Sequence, residues 1–234
     1  MPGPLVQGLD APRSVFILAY DDCDQLDITG PFEILGTLVQ WLGVVLDLRV
    51  VSIPGTTEDA SGLVRSANGF RFMSQPWDGT ELPDILVVAG GIFVKPGSNE
   101  PAGIGLQSTN PAFTGAIAKQ YASKRLVTSV CTGAFGLVGA RIARGHTITT
   151  HPGVLQKLAD FAAGLGEELS ILDPDAGARV VDNGDLITCG GVSSGIDEAL
   201  YLVQKFWPAQ LEGVRGWVDY PYQFSSKIIL SSAR

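Results

Sequence analysis

Histidine, cysteine and basic residues are scarce in this sequence, and each scarcity excludes a class of function. Only two histidines occur among the 234 residues, so a three-histidine metal site is impossible and any histidine base is His146 or His151. The three cysteines fit no zinc or redox pair, and their odd number favours a reducing, cytoplasmic setting. The 16 basic residues stand against 24 acidic ones, and the net charge of -8 argues against nucleic acid and anionic membranes as partners.

The sequence also lacks long apolar runs and a secretory leader. No stretch reaches about 18 uninterrupted apolar residues, so we predict no membrane span. Residues 1–12 lack a basic region followed by an apolar stretch, and we expect a flexible N-terminal arm there rather than a signal peptide. With 45% hydrophobic residues, the chain is sufficient for a single domain over positions 13–234, in which residues 208–234 form a C-terminal tail.

Apolar runs and helical periodicity alternate along the rest of the sequence. The apolar runs are continuous, as in parallel strands covered on both faces, and Asn183-Gly184 is a strong hairpin signal. This alternation predicts an α/β fold with an open, mostly parallel sheet and helices on both faces. Strands are expected at residues 14–20, 46–53, 84–89, 125–130 and 146–150, a hairpin over 179–188, and helices at 26–38, 111–123, 153–163 and 194–206.

Cys131 is the most informative residue, because a β-branched apolar run stops there and small residues with a helical pattern follow. The sequence Ser-Val-Cys-Thr-Gly at 129–133 has the form of a nucleophile elbow, with cysteine as the nucleophile. Such a turn points a helix N-terminus at the side chain, and the helix dipole and free N–H groups favour the reactive thiolate. The other interpretation is a buried structural cysteine. The small residues after Cys131 allow a substrate to approach the backbone, which favours the functional interpretation.

Four segments together resemble the ThiJ/PfpI superfamily. They are Leu-Asp-Ile-Thr-Gly-Pro at 26–31, Val-Ala-Gly-Gly at 88–91, Ser-Val-Cys-Thr-Gly-Ala at 129–134 with Thr-Thr-His-Pro at 149–152, and Gly-Gly-Val-Ser-Ser-Gly-Ile-Asp-Glu-Ala at 190–199. The resemblance runs from about Val15 to Phe206. It is strongest to the isocyanide (isonitrile) hydratases and the amidase-like domains of AraC-type regulators. It implies a flavodoxin-like, class I glutamine amidotransferase-like fold with a strand, a nucleophile elbow and a helix.

The resemblance implies a role for each matching side chain. Cys131 matches the nucleophile, and Asp27 matches the acidic residue that lies over the cysteine and handles protons. His151 matches a histidine near the cysteine. Thr132 matches the residue that sets the hydratase branch apart, because many relatives have histidine directly after the cysteine. We expect the Thr132 hydroxyl to orient the acid or a water molecule.

Backbone N–H groups are the second part of the implied site. The turn at Gly90 and Gly91 would supply them to an anionic intermediate, and Ile92 and Gly133 complete the expected oxyanion and substrate contacts. The alternative for the glycine pair is a tight turn with no further role.

Several assignments have structural alternatives that the residues leave open. Asp27 precedes an apolar helix, where an acid caps or stabilises the first turn. His151 precedes a proline and is equally well explained as a helix-start or core histidine. Residues 99–113 and the tail match the family loosely. Because such segments often line the pocket, the resemblance does not define the R group of the substrate. Three aromatic residues of the tail fit a lid, a dimer contact or a plain packed segment: Trp217, Tyr220 and Tyr222.

The resemblance implies an enzyme that adds water to an isocyanide and releases an N-substituted formamide through a thioimidate on Cys131. Asp27, with a pKa raised by its apolar pocket, would carry the proton and then activate water. No metal, nucleotide or flavin is needed, and a homodimer is the implied assembly. The alternatives are a cofactor-independent glyoxalase for small α-oxoaldehydes with His151 as base, a non-catalytic cysteine redox sensor or chaperone, and a ligand-sensing domain of a regulator.

Overall fold

The computed structural model describes residues 11–177, 179–221 and 228–230, and in this part of the chain eight strands form one main sheet. The strands are β1 (Ser14–Leu18), β2 (Asp47–Ser52), β3 (Leu63–Arg65), β4 (Arg71–Met73), β5 (Gln75–Pro76), β6 (Ile85–Val88), β7 (Leu126–Ser129), β8 (Thr147–Thr149), β9 (Ser170–Leu172), β10 (Val180–Asp182), β11 (Leu186–Cys189) and β12 (Ile228–Leu230). The α-helices are α1 (Gln25–Gln40), α2 (Gly103–Gln107), α3 (Pro111–Ala122), α4 (Ala134–Gly139), α5 (Leu155–Gly164), α6 (Ser194–Phe206) and α7 (Leu211–Val218). None of these helices has the length and apolar character that crossing a membrane requires.

The main sheet is parallel except at one edge. Its order is β12-β10-β11-β7-β6-β1-β2-β5, and β10 runs antiparallel to β11. This pair confirms the hairpin expected around Asn183-Gly184. β6, β7 and β11 are buried at every residue, which explains their continuous apolar runs. Because β1, β6, β7 and β11 are parallel to one another, their carboxyl ends lie at the same edge of the sheet, where open α/β sheets bind their ligands.

The helices form two groups, which is consistent with a layer on each face of the sheet. α1, α6 and α7 contact one another, and α4 contacts α2, α3 and α5. α1 begins where the sequence indicates, because the Asp24 side chain accepts a hydrogen bond from the Leu26 N–H at 3.0 Å. Pro31 lies inside α1 at its close approach to α6, where a Cβ on Gly195 would lie 3.3 Å from the proline ring. The tight α1–α6 pair holds the first turn of α1 over the sheet.

Most predicted elements are confirmed, and the differences have local causes. α6 covers the predicted 194–206, whereas α5 begins at Leu155 because residues 152–154 form a 3-10 turn. β8 is present but pairs with β9 outside the main sheet. The expected tail includes α7, which contacts α1 and α6 and buries Val214 completely. Most of the expected N-terminal arm, residues 1–10, and Tyr222 lie outside the described residues.

Candidate active site

The turn after β7 holds Cys131 in an uncommon backbone conformation. Its φ angle is 57°, a left-handed value that few residues other than glycine adopt. The Cys131 N–H donates to the Gly190 carbonyl at 2.9 Å, and the Cys131 carbonyl accepts from Thr150 Oγ1 at 2.8 Å. These bonds fix the residue at the carboxyl edge of the sheet, with 5% of it exposed. The strand, sharp turn and helix expected around Cys131 are therefore confirmed.

Asp27 lies in the first turn of α1 and is completely buried beside Cys131. Its Oδ2 accepts a hydrogen bond from the Gly90 N–H at 2.8 Å, whereas its Oδ1 has no hydrogen-bond partner among the described residues, and the carboxyl interacts electrostatically with the Cys131 thiol. Burial raises the pKa of Asp27 well above its usual value, and the charge of Asp24 raises it further. The carboxyl therefore favours its protonated form. Because Asp24 caps the helix, capping does not account for Asp27.

The surroundings of Cys131 favour its protonated thiol, which is the opposite of the stabilised thiolate expected from the sequence. Burial and the nearby Asp27 raise the pKa of Cys131 to about 12. Hydrogen bonds from the backbone N–H groups of Val192 and Thr132 lower the pKa, but by less. The helix-dipole argument fails because the free-energy cost of burying the thiolate exceeds the gain from these N–H groups. Asp27 and Cys131 form a buried pair that holds its protons.

Thr132 forms two hydrogen bonds with Gly91. Its Oγ1 accepts from the Gly91 N–H at 2.8 Å and donates to the Gly91 carbonyl at 2.8 Å. The hydroxyl therefore fixes the turn after β6. The expectation that the hydroxyl also orients Asp27 or a water molecule stays a prediction.

The four residues expected to contact an oxyanion have their N–H groups engaged elsewhere. Gly90 and Gly91 donate to the two side chains just described. The Ile92 and Gly133 N–H groups donate to backbone carbonyls at 3.2 and 2.8 Å. In this state the four N–H groups are therefore not free to bind an oxyanion, and the oxyanion and substrate contacts expected of these residues stay predictions. Gly91 and Ile92 line the cavity above the thiol instead.

The donors that do face the sulfur are the backbone N–H groups of Thr132 and Val192. Val192 follows β11 and has a φ angle of 34°. A positive φ is rare for a β-branched residue, and residues in such strained conformations cluster at functional sites. Its role was missed in the sequence, where the only signal was the preceding Gly190-Gly191 pair. These two N–H groups are placed to stabilise negative charge on the sulfur during a reaction.

His151 lines the same cavity as Cys131 and also has a local structural role. Its Nδ1 accepts a hydrogen bond from the Gly153 N–H at 3.0 Å and caps the 3-10 turn that precedes α5. The ring lies against Gly191, where a Cβ would approach Cδ2 to 2.5 Å. The helix-start interpretation is therefore correct for the backbone, and the ring also forms part of the cavity wall.

The cavity above Cys131 has a volume of about 230 Å³ and a largely apolar wall. Residues 99–113 do not contribute to it, and neither do Trp217 and Tyr220. Trp217 stacks on Trp41 with 4.2 Å between the ring centroids, away from the thiol. The residues that line the cavity are Asp24, Ala67, Gly91, Ile92, Cys131, Thr132, His151, Val154 and Val192.

The other two cysteines, Cys23 and Cys189, are fully buried, as is usual for structural cysteines. All three cysteines are free thiols. Within the described ranges, no group of three histidine, cysteine or acidic side chains is arranged to hold a metal ion.

Comparison with known proteins agrees with this geometry. The model of the DJ-1/PfpI family matches residues 13–205, which include the whole site described above. The chain belongs to the DJ-1/PfpI family. The resemblance drawn from the four sequence segments is thereby confirmed.

Relatives in the family include an enzyme and a DJ-1 homologue. The chain is similar to the isonitrile hydratase of Pseudomonas putida, with 31% identity over 191 residues, which covers 80% of this chain and 69% of the relative. It is also similar to the Parkinson disease protein 7 homolog of Danio rerio, with 27% identity over 128 residues, 55% of this chain and 58% of that protein. Among solved structures, Drosophila melanogaster DJ-1beta superposes with a TM-score of 0.72 at 15% identity, covering 90% of this chain and 100% of the other. This last similarity confirms the flavodoxin-like fold.

Proposed function

We propose that the protein is a cysteine-dependent isocyanide hydratase, which converts a small isocyanide and water into an N-substituted formamide. The observation that carries this proposal is the buried Cys131–Asp27 pair, which places a thiol and an acidic proton together at an apolar cavity. An isocyanide accepts a nucleophile and a proton on the same carbon, and this pair supplies both. The similarity to the isonitrile hydratase of Pseudomonas putida supports the same reaction.

In the first step, the Cys131 sulfur bonds to the terminal carbon and a proton reaches the same carbon. The product is a thioimidate, in which sulfur is bound to a CH group that is double-bonded to the substrate nitrogen. Asp27 relays the proton, because its carboxyl accepts the thiol proton as it gives its own to the carbon. Because burial and Asp27 raise the pKa of the thiol, the sulfur must lose its proton to the Asp27 relay as it bonds to the carbon. The Val192 N–H stabilises charge on the sulfur.

In the second step, one water molecule adds to the thioimidate carbon. The protonated Asp27 carboxyl gives its proton to the substrate nitrogen as it removes one from the water, which gives a tetrahedral carbon bound to sulfur, hydroxyl and an N–H group. The carbon–sulfur bond then breaks, the hydroxyl proton passes to the sulfur, and the formamide leaves. One water is consumed, and Cys131 and Asp27 return to their initial protonation states.

The cavity restricts the substrate to a small group on nitrogen. Its volume of about 230 Å³ corresponds to roughly seven water molecules at about 30 Å³ each. The cavity has apolar walls, on which a charged substrate group would lose its hydration and bind poorly. These walls are formed by Ala67, Ile92, Val154 and Val192. We therefore propose short alkyl isocyanides as the substrate class.

A glyoxalase acting on small α-oxoaldehydes is the second candidate, because His151 shares the cavity with Cys131. The hydrogen bond that Nδ1 accepts from Gly153 places the proton of a neutral ring on Nε2. The ring therefore presents a donor rather than a base to its other neighbours, which counts against this reaction.

The assembly, the location and the single-domain organisation stay predictions. Trp41 and Trp217 are each more than half exposed and offer an apolar surface for the homodimer that the resemblance implies. Three free thiols are compatible with the cytoplasmic setting that we propose.

The experiment incubates the purified protein with methyl and isopropyl isocyanide and follows formamide by mass spectrometry. We expect Cys131→Ala to abolish turnover and Asp27→Asn to lower it by about 10²- to 10⁴-fold, because the first variant lacks the nucleophile and the second lacks the proton carrier. Asp160→Asn makes the same change on the exposed face of α5 and is expected to keep wild-type activity. Circular dichroism checks that each variant is folded.

Full turnover by Cys131→Ala would overturn the proposed mechanism. Absence of turnover by the wild-type protein with several small isocyanides would overturn the proposed reaction. Methylglyoxal is then the next substrate, with lactate as the measured product.

A further inference from the structure

One of the residues that line the cavity above Cys131 is an aspartate that the proposed catalytic steps do not use. Among the described lining residues, Asp24 is the only acidic one, and none is lysine or arginine. Asp24 is only partly buried, so its carboxylate contacts water and is ionised at neutral pH, and the N-terminus of α1 favours this ionised form. A molecule that enters the cavity therefore lies near a negative charge.

Hydrogen bonds fix Asp24 against the turn that supports the catalytic pair. The Asp24 N–H donates to the Gly90 carbonyl at 2.9 Å, and the Gly90 N–H donates to Asp27 Oδ2 at 2.8 Å. The Asp24 carbonyl accepts from the Asp27 N–H at 3.2 Å, and Asp24 Oδ1 accepts from the Leu26 N–H at 3.0 Å. The carboxylate therefore has a fixed place at the cavity, next to the residues proposed to react.

No cation is paired with Asp24 in the part of the chain that the structure describes, because none of the ion pairs there includes it. Two cationic side chains come from segments that adjoin the cavity, and both have other partners. Arg65 pairs with acidic side chains, and Lys157 lies over an aromatic ring. The charge of Asp24 also raises the pKa of both Asp27 and Cys131, so its field extends to the reacting groups.

We propose that Asp24 is a specificity-determining residue that disfavours the entry of anionic molecules into the cavity above Cys131. A negative charge at the wall of a small, largely apolar cavity repels an anion more strongly than it would in bulk water, because less water lies between the two charges. Neutral molecules of the same size do not meet this repulsion. For the reaction, where the inference rests on the proposed function, the substrate class is thereby narrowed to short isocyanides whose nitrogen substituent carries no carboxylate.

The test compares two alkylating reagents of similar size, the neutral iodoacetamide and the anionic iodoacetate. The ratio of their rate constants does not depend on how much of the Cys131 thiol is ionised, because both reagents react with the thiolate. Cys23 and Cys189 are completely buried, so Cys131 is the expected site of reaction, and peptide mass spectrometry verifies it. Dividing each ratio by that of free N-acetylcysteine removes the intrinsic difference between the reagents.

Asp24→Asn removes the charge and keeps the helix cap, because asparagine caps helices as well as aspartate does. At low salt we expect this variant to raise the iodoacetate-to-iodoacetamide ratio by about three- to tenfold, the effect of one unit charge several ångströms away at an intermediate dielectric constant. In about 1 M NaCl the wild-type ratio is expected to approach that of the variant, because the Debye length falls to about 3 Å.

Two further variants separate the charge of Asp24 from its shape and from the net charge of the protein. Asp24→Ser is also neutral and also caps helices, and it is expected to give the same ratio as Asp24→Asn. Asp160→Asn removes one charge from the exposed face of α5 and is expected to leave the ratio unchanged. An unchanged ratio in both Asp24 variants would overturn the proposal. So would a raised ratio that does not respond to salt, or an equal rise in Asp160→Asn.

The alkylation readout does not depend on the hydratase proposal, whereas the consequence for catalysis does. Isocyanoacetate and methyl isocyanoacetate provide the same comparison with substrates. The wild-type protein is expected to hydrate the neutral ester with the higher kcat/KM, and Asp24→Asn is expected to narrow the difference through KM, because the charge acts on binding. Equal kcat/KM values for the two substrates in the wild type would overturn the narrowed substrate class. A changed alkylation ratio without turnover of either isocyanide would support the role of Asp24 and overturn only the proposed reaction.

Discussion

Gly90 has no side chain, and this allows the turn after β6 to lie very close to Asp27 on α1 and to Thr132. A Cβ on Gly90 would lie 2.6 Å from both the N and Oγ1 atoms of Thr132 and 2.8 Å from Asp27 Oδ2. All of these distances are shorter than real carbon contacts permit. In this state the residue therefore serves the site by close approach.

We predict that Gly90→Ala lowers isocyanide turnover by about 10²-fold, because the Asp27 carboxyl must move by a substantial part of an ångström. The variant is also expected to lose about 1–3 kcal/mol of unfolding free energy through overpacking. Initial rates and urea titrations measure the two effects. Gly164→Ala is the matched control, because a Cβ there meets nothing within 4 Å. Equal activities of the two variants would contradict the close-approach argument.

Individual site residues differ in how far the sequence predicts them. Cys131 and Asp27 lie in local motifs whose neighbours indicate a turn and a helix start, so both could be found without coordinates. The N–H groups of Thr132 and Val192 that face the sulfur were not indicated by the sequence, because the direction of a backbone N–H depends on how separate strand ends converge. The thiolate prediction failed for a related reason, since local sequence does not report the depth of burial that raises the pKa of Cys131.

At the scale of secondary-structure elements, α6 is attached to the sheet by a buried ion pair. Lys205 Nζ lies 2.7 Å from Asp182 Oδ2 on β10, and both side chains are almost completely buried. Asp182 also accepts hydrogen bonds from Tyr201 and from the Gly184 N–H. This cluster fixes the far end of the helix that carries Glu198.

We predict that Lys205→Met destabilises the protein by about 3–5 kcal/mol, because it leaves the Asp182 carboxylate buried without its cation. Urea unfolding followed by tryptophan fluorescence measures the change. Lys119→Met on α3, where the side chain is exposed, is expected to change stability by about 0.5 kcal/mol or less. A loss for Lys205→Met as small as that of the control would show that Asp182 is adequately stabilised by its other donors.

Elements with strong periodicity or continuous apolar runs were predictable, and short ones were not. α6 has the predicted bounds because its 13 residues, of which 10 are buried, span enough turns for a helical period to be recognised. α2 has five residues and β9 has three, too few for a period to be recognised. α7 was assigned to a tail because eight residues with two glycines give a weak helical signal.

At the scale of the whole molecule, buried carboxyls make stability depend on pH. The pKa of Glu198 is raised to about 7 from an ordinary value of 4.5, so between these values the folded protein binds a proton that the unfolded chain has lost. Stability therefore falls as pH rises across this window. His146 acts in the same direction, because Asp185 raises its pKa in the folded protein. The contribution of His146 to the unfolding free energy is present below the pKa of the unfolded chain and is lost as pH rises through the pKa of the folded protein.

We predict that the unfolding free energy of the wild-type protein is lower at pH 8 than at pH 5, with Glu198 contributing about 3 kcal/mol of the difference. Urea titrations at pH 5, 6.5 and 8 measure it. Glu198→Gln is expected to show a correspondingly smaller dependence, because the amide does not titrate. A wild-type stability that is constant or rises over this range would contradict the prediction.

The bonds that hold Cys131 also determine when the protein acquires its chemistry. Its N–H is bound by the carbonyl of Gly190 and its sulfur faces the N–H of Val192, and both partners are synthesised long after the cysteine itself. A nascent chain that has not yet reached α6 carries an ordinary thiol on an incomplete sheet. The same holds for a chain cut short before position 190. The order of segments along the polypeptide thus means that the turn around Cys131 takes its final form only after residues 190–192 have been synthesised.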